Sequence, residues 1–167
     1  MDCLFCDAQL TDRARIVEEN ELAYATRDAY PVTPFHTLFI PKRHTISYFG
    51  LTEAEVVAIH ALIHSQKKII DALDPTIGGY NIGMNCGEIA GQSVWHCHVH
   101  LIPRRLGDAE FPKGGVRHVI PWKGSYINPN SCSTGQSISA GFSSSGKKNQ
   151  SEANAPCCCG ARPWAVT

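Results

Sequence analysis

Residues 96–105 read HCHVHLIPRR. Three histidines, His96, His98 and His100, alternate with Cys97 and Val99. A neutral imidazole, with an ordinary pKa of about 6.5, can ligate a metal, move a proton or attack phosphorus. Strand side chains alternate between faces, so the three rings are expected on one face and Cys97, Val99 and Leu101 on the other, apolar one. A merely solvated strand would more naturally carry Thr, Lys or Glu. Positions i, i+2 and i+4 of a strand span about 13 Å. Zinc needs about four ligands at roughly 2.0–2.3 Å, so three rings along one straight strand converge poorly on a single ion. Two readings stand: one shared metal site, or divided labour in which one ring joins a metal site elsewhere and another reaches a substrate.

The preceding loop, residues 85–93 (NCGEIAGQS), favours divided labour. Gly87 and Gly91 allow close backbone approach, and exposed N–H groups beside Asn85, Gln92 and Ser93 suit phosphate oxygens. Further upstream, Cys3-Leu4-Phe5-Cys6 makes a two-thiolate hook. Such a pair serves redox chemistry, a zinc knuckle or neither. No second Cys-x-x-Cys follows within residues 7–126.

The elements that must position these groups are short. Residues 51–75 predict one long helix, with a Thr-x-x-Glu capping box at Thr52 and Glu55, an apolar face of Val56, Ile59, Ile63 and Ile70 flanked by Leu62, Ile69 and Leu73, and Pro75 after its end. Strand-like runs occupy 21–26, 36–41, 79–85 and 94–103. This order predicts an α+β domain, an antiparallel sheet covered by the helix on one face. The chain has 167 residues, enough for one domain with a real core. That domain is expected over 1–126. Residues 127–167 are rich in Ser, Gly, Asn and Ala and are expected to form a low-complexity tail without a packed core. Its run at 157–159, Cys-Cys-Cys, carries no flank that would support lipidation.

Lys plus Arg and Asp plus Glu balance at 15 each, which removes the global field expected of a nucleic-acid or anionic-membrane binder. No apolar run approaches the roughly 18 residues of a membrane span, and no secretory leader is evident, so a cytoplasmic setting with reduced thiols is expected.

His96-Cys97-His98-Val99-His100-Leu101-Ile102 resembles the motif of the histidine triad family, His-x-His-x-His followed by two apolar residues. Residues 28–44 (DAYPVTPFHTLFIPKRH) and the 85–93 loop also look like that family's segments, and the similarity runs over about 1–126. The resemblance implies a small α+β fold, an antiparallel five-stranded sheet with one long and one short helix, and a homodimer whose sheets join into a ten-stranded one. It implies nucleotide binding and cleavage at the α-phosphate with no catalytic metal. His98 would attack, its ring oriented by the backbone carbonyl of His96. His100 and His36 would contact phosphate. Asn85, Gly91, Gln92 and Ser93 would hold phosphate or leaving group, Asp28 the ribose, and Leu38 the base. Some relatives, including the related uridylyltransferases, bind zinc through two Cys and two His. By that likeness Cys3, Cys6, His44 and His96 are expected to hold a structural zinc; a metal-free thiol pair or a redox pair are the alternatives. The family often has Gly where this chain has Phe35.

The implied activity is hydrolysis of dinucleoside polyphosphates through a nucleotidyl-histidine. The alternatives are a purine nucleoside phosphoramidase and a zinc-stabilised nucleotide-binding module without turnover. Lys42 and Arg43 are expected to be solvated. Arg104 and Arg105 are placed to meet polyphosphate, and Arg117 is a candidate substrate contact. His60 and His64, one helical turn apart, are expected at the surface. Trp95 and Trp122 are expected to pack.

Overall fold

The computed structural model describes residues 3–121, 123 and 124. The predicted tail and Trp122 lie outside the described residues. Two α-helices and five strands follow in the order α1 (Leu4–Thr11), β1 (Ile16–Glu19), β2 (Ala23–Arg27), β3 (Thr37–Pro41), α2 (Glu53–Leu73), β4 (Ile77–Gly83) and β5 (Val99–Arg105). The sheet order is β1-β2-β3-β5-β4, and every neighbouring pair is antiparallel. The expected α+β class, five-stranded antiparallel sheet, long helix and short helix are all present.

β2 and β3 lie at the centre and are buried almost throughout. Ala23, Ala25 and Phe39 pack with Val99 and Leu101 against Ile59, Leu62 and Ile70 of α2. Tyr24, Leu38 and Ile40 form a second cluster with Phe5 of α1. The sheet is therefore covered on both faces, not one. By residue pattern alone α1 carries little helical signal, being eight residues with no side-chain cap at Cys3. Its place is set by tertiary bonds: the Tyr24 hydroxyl donates to the Phe5 carbonyl at 2.7 Å, and Gln9 Nε2 donates to the Lys42 carbonyl at 3.1 Å.

The buried stripe of α2 is Glu55, Ile59, Leu62, Gln66 and Ile70. Ile69 and Leu73, expected beside the apolar face, are exposed. The stripe rotates because α2 begins on a buried carboxylate. Glu55 accepts from the Thr52 N–H at 2.8 Å while its own N–H donates to Thr52 Oγ1 at 3.2 Å, closing the capping box. Arg43 forks onto the same carboxylate at 2.8 and 2.7 Å. That ion pair, with the Thr52 bonds, holds the Glu55 carboxyl down at about 2. Arg43 is thus a strut between β3's exit and the helix start, not a free solvated cation, and it fixes the backbone next to His44. Thr52→Ala is expected to cost about 1 kcal/mol, seen as a lower urea midpoint at unchanged slope.

Candidate active site and thiol–histidine cluster

The strand predicted over 94–103 begins only at Val99. Residues 94–96 form a bend ahead of it, tied by the Cys97 N–H to the Thr45 carbonyl at 2.7 Å. Cys97, Val99 and Leu101 are buried, and Val99 and Leu101 join the α2 core. Burial pushes the Cys97 thiol up to about 11, which leaves it inert. The two-faced alternation thus survives the late start of the strand, but the bend separates the environments of the three rings.

His98 is buried. Its Nδ1–H donates to the His96 carbonyl at 2.8 Å, so the proton sits on Nδ1 and Nε2 is left with its lone pair. The ring lies edge-on to Phe5 at 5.2 Å and to His100 at 5.0 Å between centroids. His100 Nδ1 pairs with His36 Nε2 at 3.0 Å, and His36 Nδ1 lies 3.3 Å from the Asp28 carboxylate. β3–β5 register explains the meeting: Leu38 faces His100 across the ladder, and His36 immediately precedes β3. Burial lowers His36, and burial together with the neighbouring His98 and His36 holds His100 at about 4. Both rings are neutral near pH 7, so one donates to the other and neither competes as a cation for the His98 site.

Asp28 also accepts from the Tyr30 N–H at 2.8 Å. In the loop, Gly87 and Gly91 have φ of 92° and 85°, a region open to glycine at no steric cost. Asn85 Nδ2 donates to the Gly91 carbonyl at 3.3 Å. Gln92 departs from the expectation. Its side chain accepts from the Gly87 N–H at 2.8 Å and donates to the carbonyls of Ile46 (2.6 Å) and Val94 (3.0 Å). Its side chain is thus spent on bracing the loop.

Phe35 has φ of 67°. The His36 N–H bonds to the Thr33 carbonyl at 3.1 Å, so Thr33-Pro34-Phe35-His36 is a turn with Pro at its second position and positive φ at its third, where glycine is favoured. A bulky residue is strained there. The ring recovers part of the cost by packing on the α2 core and under Arg27, 5.7 Å from its centroid. Phe35→Gly is expected to be about 1 kcal/mol more stable than Phe35→Ala. Both variants lose the ring, so the difference between their urea midpoints isolates the backbone strain.

Cys3, Cys6, His44 and His96 present four donor atoms within 4.8 Å of one another. Cys3 Sγ and Cys6 Sγ lie 3.3 and 3.6 Å from His96 Nδ1, and Cys6 Sγ lies 3.5 Å from His44 Nδ1. Bond lengths of about 2.0–2.3 Å in a tetrahedron place neighbouring donors roughly 3.3–3.8 Å apart, which these separations match. His96 Nε2–H donates to the Pro41 carbonyl at 2.9 Å, fixing the tautomer that bares Nδ1 to a metal. Burial first, and then Cys3, push the Cys6 thiol up, the opposite of a redox-active cysteine. The donor set fits zinc.

A cavity of about 650 Å³ opens beside His98 and His100. Asp28 and Leu38 line it, as does Ser93. So do Phe5 and Ala8 of α1, Ile16 of β1 and Tyr24 of β2, for which residue type and spacing gave no signal.

The HIT domain model matches residues 9–107 of the chain. The chain belongs to the HIT domain family. Three similar proteins frame the comparison. The AP-4-A phosphorylase of Mycobacterium tuberculosis is 34% identical over 105 residues, 62% of this chain and 53% of that one. This chain thus spans about half of that enzyme. A Zn-bound histidine triad family protein from Mycobacterium smegmatis has been solved; it is 34% identical, with a TM-score of 0.57 over 65% of this chain and 78% of that one. Diadenosine triphosphate hydrolase of Plasmodium falciparum is 28% identical, with a TM-score of 0.55 over 58% and 65%.

Within this HIT domain His98, His100, Asp28 and Leu38 meet around one cavity, His36 is buried behind them on His100, and His96 turns away to the thiols. Other expectations are corrected. Arg104 is bound to Asp108 and Asn81, and Arg105 to Asp74 and Thr33; both tie the β5 end together and are engaged away from the cavity. Lys42 pairs with Glu19 at 2.9 Å. Trp95 is 51% exposed, not packed. His60 and His64, by contrast, are exposed as expected, with rings 4.3 Å apart, and no third metal donor joins them among the described residues. Arg117 lies in a short helical turn, Gly115–Val119.

Proposed function

We propose that the protein is a nucleotidyl hydrolase that cleaves dinucleoside polyphosphates at the α-phosphate. The observation that carries this is the His98 Nδ1–H bond to the His96 carbonyl at 2.8 Å, in a ring that lines the cavity. Nε2 is then the ring nitrogen turned to the phosphorus, in a ring whose orientation that bond holds. It attacks the α-phosphorus in line; the N–P bond forms as the bond to the leaving phosphate oxygen breaks. Water then attacks the same phosphorus, the P–N bond breaks, and a nucleoside monophosphate leaves with His98 regenerated. His100 meets the phosphate oxygens, and His36, its ring nitrogens taken up by His100 and Asp28, holds that ring in place; both are neutral and add no charge. Ser93, Asn85 and the Gly91 backbone receive the charge that develops on the equatorial oxygens. Asp28 holds the ribose hydroxyls, and Leu38 with Phe5 and Ile16 encloses the base. No catalytic metal is needed for these steps.

Cys3, Cys6, His44 and His96 are proposed to hold a structural zinc, which supplies a cross-link with no open position for substrate. A homodimer is proposed in which outer strands of two sheets pair into a ten-stranded sheet. No described helix is long and apolar enough to cross a membrane; a cytoplasmic nucleotide enzyme with no nucleic-acid partner is the setting proposed.

The AP-4-A phosphorylase likeness favours a second reading of the last step, with inorganic phosphate in place of water. Product analysis separates the branches: a dinucleoside tetraphosphate and an adenosine phosphoramidate are offered in parallel, without added divalent metal, with and without phosphate. AMP from the polyphosphate supports the hydrolase. ADP formed only with phosphate present supports phosphorolysis, and faster P–N cleavage supports a phosphoramidase. No product from any arm supports the binding module.

A further inference from the structure

We propose that a groove adjoining the catalytic cavity is a second nucleoside subsite, which seats the base of the leaving half of a dinucleoside polyphosphate. The proposal rests on the polyphosphate reading and names what its leaving group must carry. The groove, about 480 Å³, is lined by Cys3, Leu4, His44, Ile46, Ser93, Val94 and Trp95, with no carboxylate among them; Cys3 and His44 belong to the thiol–histidine cluster, so one side of the groove is shared with that cluster. Leu4, Ser93 and Val94 line the catalytic cavity as well. The two hollows therefore share one rim, and Ser93 stands on it between His98 and Trp95. A polyphosphate running from the His98 site over this rim meets a serine and a turn of backbone, with no carboxylate of the groove to repel it.

The far wall suits an aromatic ring. Trp95 and Ile46 are 51% and 53% exposed, a large apolar area left in water by residues that are otherwise firmly placed. Gln92 donates to the Ile46 and Val94 carbonyls together, clamping both sides of the groove at a fixed separation. His96, next to Trp95, is fully buried and bonded to Pro41. The indole is thus mounted on rigid backbone with its surface free, an arrangement that stacks a base with little loss of side-chain freedom. The groove is itself of the size of a small-molecule site.

The test compares AMP release from diadenosine tetraphosphate and from adenosine tetraphosphate, which carries the same phosphates and no second nucleoside. The parent is expected to prefer the dinucleoside in kcat/KM. Trp95→Ala is expected to lower that preference about tenfold, the scale of one base–aromatic stack, with Trp95→Phe restoring most of it. Ile46→Ser provides a second variant should Trp95→Ala fold poorly, and is expected to lower the preference in the same direction. A preference ratio that stays at the parent value in both variants overturns the subsite. If the parent releases AMP from neither compound, titration calorimetry with a methylene-bridged diadenosine tetraphosphate and with adenosine tetraphosphate decides the matter. Tighter binding of the former, lost in Trp95→Ala, keeps the subsite while the hydrolase reading fails. Equal binding of both ligands ends the proposal.

Discussion

His98→Ala is expected to reduce kcat for nucleotide cleavage by about four orders of magnitude or more, the scale seen when a covalent nucleophile is deleted. Nucleotide affinity should change far less, because Asp28, Leu38 and the loop are untouched. The reason for so large an effect is local. His98 Nε2 is the ring nitrogen left unpaired by the His96 carbonyl bond, whereas His36 and His100 are bonded to each other at 3.0 Å and are held by that pairing. Neither is placed to take over the attack. Rapid mixing of the parent with labelled substrate, quenched in alkali, should trap a nucleotidyl-protein whose P–N bond is acid-labile; the variant should trap none. A variant within tenfold of the parent rate would move the nucleophile elsewhere.

Stripping zinc, or replacing Cys3 by Ser, is expected to be the largest effect on stability. Protein purified without added metal should carry about one zinc per chain. A ligand bound only by the folded state, at a free concentration a thousandfold above its Kd, stabilises by about 4 kcal/mol; for a domain of this size that corresponds to roughly 15 °C in melting temperature. Chelation should therefore lower the midpoint by that order, and hydrogen exchange should quicken first over residues 3–15. The site joins three segments far apart in sequence: Cys3 and Cys6 bracket the start of α1, His44 follows β3 beside the Arg43–Glu55 strut, and His96 precedes β5. Phe5, between the two cysteines, packs edge-on to both His96 and His98. Loss of the ion thus loosens a wall of the catalytic cavity as well. A zinc ratio near zero with a melting temperature indifferent to chelator would leave the metal-free thiol pair as the reading.

Much of the site was legible before any fold, for reasons particular to each residue. The motif at 96–102 is local: alternation alone separated His98 and His100 from Val99 and Leu101, and a capping box needs only Thr52 and Glu55. The central strands announced themselves as short apolar runs, and Pro75 marked the helix end. Phe35 stood out because the family that the chain resembles often has Gly at that position, and its φ of 67° lies where glycine is favoured. What stayed hidden depended on partners distant in the chain. α1 is too short and too weakly capped to signal itself, and it is placed by Tyr24 and Lys42. Glu55 and Gln66 are both buried, Glu55 on Arg43 and Gln66 on Glu18, through partners in other elements. Gln92 looked like a phosphate ligand, and Arg104 and Arg105 like free cations, until their carbonyl and carboxylate partners were in view. Trp95 looked like a core residue because size and apolarity argue for burial, while exposure depends on what the rest of the chain covers. The amino-acid pattern by itself determined which side chains could do chemistry, since that follows from residue type and short spacing. Only the tertiary structure decided which of them meet, because β3–β5 register and the docking of α1 bring His36, His98 and Phe5 together across more than ninety residues of chain.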